Sequence, residues 1–197
     1  MTAPLTQRET TAGKTFGELV SRRLGADAVA WQSAGWCPDR HGWRLQLFLT
    51  RQGGYRATVI YRLAHWTSMR RIPGLPMLLT ALNVALHGIE MTPAMDVGPG
   101  LYLAHTVGTV VNADKIGANV ELQGGLTIGQ RRGDGFPTIE GGVMVAAGAR
   151  VLGAITVGSG AVIGANAVVV TDVSPNTTMV GVPARPLQRD RDEAASA

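Results

Sequence analysis

From Ile139 to Gly164 the chain reads IEGGVMVAAGARVLGAITVGSGAVIG, and an aliphatic residue returns at every sixth place: Ile139, Val145, Val151, Val157, Ile163. A helix repeats its apolar residues near every 3.6 places, and a half-buried strand repeats them every second place. A period of six belongs to neither. It signals a parallel β-helix, in which each hexapeptide makes one short flat strand and a tight corner. Three strands close a triangular coil of about 18 residues, with the aliphatic side chain pointing into the prism. Small residues beside it, as in Val157-Gly158 and Ile163-Gly164, let the chain turn. No coil buries its interior except against its neighbours, so the stack behaves as a one-dimensional solid.

Worked outward, the phase runs through Met91, Val97, Leu103, Ile116, Leu122 and Ile128 on one side and ends at Val169 on the other. Leu103 to Ile116 is thirteen residues, one over a multiple of six, and Ile128 to Ile139 is eleven, which marks an extra loop at Gln130–Phe136. Twelve phased positions with two interruptions argue against a Gly/Val-rich sandwich. Of the 26 glycines, eighteen fall between Gly88 and Gly181, so the two halves of the chain differ in architecture.

Upstream the spacing is helical. Phe16, Leu19, Val20 and Leu24 recur near the helical period, as do Leu45, Leu47 and Phe48, and then Val59, Leu63 and Trp66. Gly53-Gly54 and Pro73-Gly74 punctuate the series, which predicts four short helices. The fold class is therefore α+β: a flexible tail over 1–15, a helical region over 16–88, a left-handed parallel β-helix over 89–186 and a second tail over 187–197.

Composition narrows the function. The formal charge is +4, but the arginines are scattered and pair only at Arg22/Arg23, Arg70/Arg71 and Arg131/Arg132, which argues against nucleic-acid binding. Cys37 is the single cysteine, which excludes an internal disulfide and a cysteine zinc knuckle. The apolar stretch Leu75–Leu86 falls far short of the roughly 20 residues a bilayer span needs. A cytoplasmic protein without membrane attachment is expected.

His105 is the only histidine of the β-helix and stands at a corner, where it can face a cleft between subunits. An alcohol is a poor nucleophile at neutral pH, so acyl transfer to it needs such a base and donors for the oxyanion. A histidine base works best beside a group that fixes its tautomer. Glu90 lies fifteen residues earlier, nearly one coil, so the two side chains can meet across adjacent coils. A lone histidine leaves no ligand set for a metal-dependent β-helix of the carbonic anhydrase type, and no metal is expected.

Several segments together resemble the bacterial serine acetyltransferases: Gly88-Ile89-Glu90, Leu103–Gly108, Leu126–Gly129, Gly142–Ala149 and Val180–Arg185, with Gly54–Ala57 and Tyr61–Trp66 upstream. The resemblance covers roughly residues 38–186. It implies His105 as the catalytic base and Glu90 in place of the carboxylate, usually Asp, that orients it. Acetyl-CoA is implied as donor, its pantetheine arm passing the small residues Ala147 and Ala165, with Gly129 and Gln130 as further contacts and Arg185 as a phosphate partner. Trimers are implied, a dimer of trimers being the alternative.

The acceptor pocket departs from that pattern. Ala104 stands where the family carries Asp, and Gly135-Phe136 stands where it carries an Arg-His pair before the proline of a longer loop. Of the polar acceptor contacts only Asp39 is kept. Losing a carboxylate and a cationic pair removes groups suited to an amino acid's ammonium and carboxylate. The expectation is thus an O-acetyltransferase acting on a small alcohol other than serine, such as a sugar or a biosynthetic intermediate. Serine O-acetylation and a non-catalytic β-helix scaffold are the alternatives. The chain ends Arg191-Asp192-Glu193-Ala194-Ala195-Ser196-Ala197, without the terminal isoleucine by which many members engage the next enzyme of cysteine synthesis, so no such complex is expected.

Overall fold

The structure is a computed structural model and describes residues 16–34, 49 and 51–187. Three helices fall among these residues: α1 (Phe16–Ser33), α2 (Gly53–Met69) and α3 (Leu75–His87). The helix expected around Leu45–Phe48 lies outside the described residues, as do Cys37 and both tails beyond Leu187 and before Phe16. Gly53 opens α2, and the break between α2 and α3 falls at Pro73-Gly74, where Gly74 takes a φ of 74° and Pro76 sits in the first turn of α3. Gly88 closes α3 in the left-handed conformation and hands the chain to the first strand. Among the described residues, no helix is long and apolar enough to cross a membrane.

Fifteen short strands follow, from β1 (Ile89–Met91) to β15 (Arg185–Pro186). Between them run β2 (Asp96–Val97), β3 (Tyr102–Leu103), β4 (Thr109–Val111), β5 (Lys115–Ile116), β6 (Glu121–Leu122), β7 (Thr127–Gly129), β8 (Thr138–Ile139), β9 (Met144–Val145), β10 (Arg150–Leu152), β11 (Thr156–Val157), β12 (Val162–Ile163), β13 (Val168–Val169) and β14 (Thr178–Val180). They form three sheets, β1-β4-β7-β10-β13, β2-β5-β8-β11 and β3-β6-β9-β12-β14-β15, in which neighbours are three strands apart as far as β12. All pairings are parallel except the last. This is the expected left-handed β-helix of about five coils. The phased residues point inward and stack by kind, with Val97 on Ile116 on Ile139, and Leu103 on Leu122 on Val145. Each of them is fully buried.

The register explains the interval of thirteen. It conceals an inward position, Val111, which stacks between Met91 and Ile128 in strand β4 (Thr109–Val111). Leu103 to Val111 is eight residues and Val111 to Ile116 five. The corner between β3 (Tyr102–Leu103) and β4 is therefore longer than its counterparts, and His105 lies in it.

Polar contacts fasten the helices to the first coil. Asp27 of α1 is fully buried, and its carboxylate accepts two hydrogen bonds from Arg62 of α2, at 3.1 and 3.0 Å, and two from the backbone N–H groups of Gly100 and Leu101. Arg62 also donates to the carbonyls of Val97 and Gly98. The Tyr61 hydroxyl donates to the Met95 carbonyl. Burial pushes that phenol's pKa far above its ordinary value, so it stays a donor. Packing closes the joint, with Trp31 meeting Tyr102 edge-on at 4.7 Å and Gly54 lying directly over the Leu103 carbonyl.

A Cβ on Gly54 would stand 1.9 Å from the Leu103 carbonyl oxygen and 2.9 Å from the Trp31 ring. Neither backbone can yield without parting α2 from the coil. Gly54→Ala is expected to destabilise the protein by about 1–3 kcal/mol or more, as overpacking does, read as a lower midpoint in urea unfolding.

Candidate functional site

His105 is exposed in the long corner between β3 and β4. Ala104 before it is half-buried against the cluster of Trp31, Tyr55 and Tyr102. Thr106 after it is buried, its carbonyl accepting the Thr109 N–H, so the histidine projects from a fixed turn. One coil on, Gly124 occupies the matching corner, and a Cβ there would lie 2.8 Å from His105 Cβ. The space beside the imidazole exists because residue 124 has no side chain.

The corners that follow β9 (Met144–Val145) and β12 (Val162–Ile163) continue this edge with Ala147 and Ala165, both exposed. The Ala147 carbonyl accepts the Asn166 N–H at 2.9 Å, and the Gly148 N–H donates to the Gly124 carbonyl at 3.0 Å, so the corners are stacked in register. His105, Gly124, Ala147 and Ala165 thus form one column. Below the histidine the edge carries nothing bulkier than a methyl group, and a slender ligand can lie against the backbone.

Glu90 is the exposed centre of β1, which stacks on β4, so it stands across the same corner from His105. The Gly108 N–H donates to the Gly88 carbonyl and binds that corner to the start of β1. Among the described residues no hydrogen bond or ion pair joins Glu90 to another side chain.

Of the remaining expected site residues, Gly129, Gln130 and Phe136 are separated from this column. Gly129 ends β7 (Thr127–Gly129) and Gln130 follows it, on the edge between the first and second sheets. Phe136 is half-buried at the end of the Gln130–Phe136 loop. That loop is tied by the Arg131 N–H to Asp134 at 3.0 Å and leans on the next coil, where Gly135 approaches Ala154. Arg185 is exposed in β15, its guanidinium turned to the Ala184 carbonyl at 2.9 Å. Asp39 lies outside the described residues. No group of three or more His, Cys, Asp or Glu able to hold a metal occurs among those described.

Three residues of the next coil went unread in the sequence: Gly124, which abuts His105, and Gln123 and Glu121 ahead of it. Gln123 Nε2 donates to Glu121 Oε1 at 3.1 Å, and Gln123 Oε1 accepts the Ala147 N–H at 3.3 Å. Glu121 and Tyr102 also line a cavity of about 550 Å³ whose far wall is α1. Burial, and after it the Glu121 charge, raises the Tyr102 pKa above its ordinary value. The sequence signal was a spacing: Glu121 follows Tyr102 by nineteen residues, one coil plus one.

No protein-family model matches the chain. It is 38% identical over 140 residues to a serine acetyltransferase of Synechococcus elongatus, covering 69% of this chain and 57% of that protein. With the serine acetyltransferase of Helicobacter pylori it shares 38% identity over 156 residues, covering 77% of this chain and 90% of the relative. Among solved structures, the serine acetyltransferase of Neisseria gonorrhoeae in complex with serine superposes with a TM-score of 0.77 at 32% identity, covering 92% of this chain and 74% of that one. A serine acetyltransferase in complex with CoA gives 0.74 at 29% identity, covering 86% and 70%.

These relatives overturn the expectation of an acceptor other than serine, which rested on Ala104 and Phe136. The physical reason is that a pocket's charge is not tied to one position. On a stacked coil, a carboxylate missing at one level can be replaced from the next, and single-position reading does not see it.

Because Gly124 leaves so little room, Gly124→Ala is expected to displace the His105 side chain while the coil survives. The imidazole proton resonances should move, with the thermal midpoint changed by only a few degrees, about 1 kcal/mol.

Proposed function

The chain belongs to the serine acetyltransferase family, and from that membership we propose that it transfers the acetyl group of acetyl-CoA to the hydroxyl of L-serine. The observation that carries the reading is His105, exposed at an enlarged corner at the head of a column of small residues. In this reading the imidazole takes the proton of the serine hydroxyl as its oxygen attacks the thioester carbonyl. The C–S bond then breaks, and the proton passes to the leaving thiolate. Glu90, across the corner, orients the imidazole and supports its charged form. The pantetheine arm lies along Gly124, Ala147 and Ala165, and Arg185 faces the nucleotide phosphates.

Assembly follows from the split of the expected donor contacts over two edges. Gly129 and Gln130 do not share the edge of His105, so within one chain they cannot meet a ligand lying on that column. A neighbouring copy in a trimer would present them. The exposed apolar side chains of α3, among them Met77, Leu78 and Leu86, support burial against another copy. A trimer or a dimer of trimers, working in the cytoplasm where acetyl-CoA is at hand, is the proposed form.

Thiol release from acetyl-CoA on addition of L-serine tests the reaction, and absence of serine-dependent release overturns it. His105→Ala is expected to lower kcat by about a hundredfold or more, as loss of a general base does, with the circular-dichroism spectrum unchanged. Light scattering should return three or six chain masses. A monomer at micromolar concentration removes the shared site.

A further inference from the structure

Serine is a zwitterion at neutral pH. A site that offers its hydroxyl to His105 must also meet its ammonium group, and a carboxylate does so most strongly. Ala104 beside the histidine carries no such group. The coil register shows what stands on the same outer face. Tyr102 pairs with Glu121 and Leu103 with Leu122, and the Ala104 N–H donates to the Leu122 carbonyl. Side chains alternate along a strand. Leu103 and Leu122 fill the prism, so Tyr102 and Ala104 face outward with Glu121 and Gln123 beneath them. Gly124 then abuts His105. From Glu121 to Gly124 is three residues, about 10 Å of extended chain, which one amino acid and two side chains span.

Two contacts aim the carboxylate. Gln123 donates to Glu121, and the Ala147 N–H, by holding the Gln123 oxygen, fixes which end of the amide faces the carboxylate. The brace holds one oxygen of Glu121 on the side of the strand that leads to the histidine corner. Glu121 enters no ion pair among the described residues and is half-buried; it also lines the cavity under α1, which His105 does not line. Glu90 sits on the adjoining first sheet, in β1, and the reading above turns it to the imidazole.

We propose that Glu121 is the specificity-determining residue that binds the acceptor's ammonium group, and that Gln123 positions it. The proposal rests on the serine reading and assigns the carboxylate that Ala104 leaves out.

The test compares L-serine with 3-hydroxypropionate, which keeps the hydroxyl and the carboxylate but lacks the ammonium. Glu121→Gln should raise KM for serine about ten- to a hundredfold, the worth of a charge-assisted hydrogen bond. KM for acetyl-CoA should stay within about twofold, and transfer to 3-hydroxypropionate should not fall, since no contact to it is lost. Gln123→Met, which keeps the carboxylate but removes its brace, should raise KM for serine with kcat held. An unchanged serine KM in Glu121→Gln overturns this assignment alone. Failure of the unaltered protein to acetylate serine overturns the assignment and the serine reading together.

Discussion

A carboxylate buried as completely as that of Asp27 must be met by donors on every side, and four hydrogen bonds converge on it. Two come from Arg62, which is itself buried and donates onward to the carbonyls of Val97 and Gly98. One ion pair thereby joins α1, α2 and the corner that opens β3. Removing one member of such a pair costs about 3–5 kcal/mol, because the other charge is left without compensation in the interior. The pair also sets a position. Gly100 and Leu101, which donate to Asp27, lie five and four residues ahead of His105, directly before the strand after which it stands. The helices thus fix the first coil, where the candidate base stands.

The β-helix adds a constraint of a different kind. Its corners are stacked at the spacing of adjacent strands, about 4.8 Å, so every side chain on an edge has a neighbour above and below. At Gly100, Gly148 and Gly160 the neighbour is an asparagine in the left-handed conformation, whose Oδ1 comes within 2.2, 2.1 and 2.4 Å of where a Cβ would stand. At His105 the neighbour is Gly124. The first arrangement closes a corner. The second opens one, and the difference between a structural and a candidate catalytic edge is a choice of which small residue sits below which large one.

This ordering explains what was legible beforehand. The inward positions announce themselves because one residue in six must be aliphatic, and the coil follows from them. Val111 escaped because the corner before it is longer than six residues, so the phase resumed at Ile116 as if a position had been skipped. Asp27 and Arg62 were not singled out, since a charge on a short helix reads as a solvated face until its partners are known. His105 and Glu90 drew notice by residue type and spacing. Glu121 and Gln123 did not, because their meaning depends on being nineteen residues from Tyr102 and Ala104, and that spacing is visible only once the coil's exact length is known. The acceptor was misread because it was judged from Ala104 and Phe136 alone, whereas the relatives are serine acetyltransferases.

The final strand reverses direction. β15 pairs antiparallel with β14 (Thr178–Val180), whereas every pairing before it is parallel. A stack of parallel coils has no intrinsic length, and its last coil presents the same unpaired edge to any further strand that arrives. The backward-running Arg185–Pro186 segment occupies that edge on the third sheet and sets a proline on it, where a backbone N–H for another strand is missing. On that sheet the solenoid is made finite by polarity. Without the reversal, the same sheet would carry a template for end-to-end growth, and the five residues of the turn from Val180 to Ala184 are what remove it there.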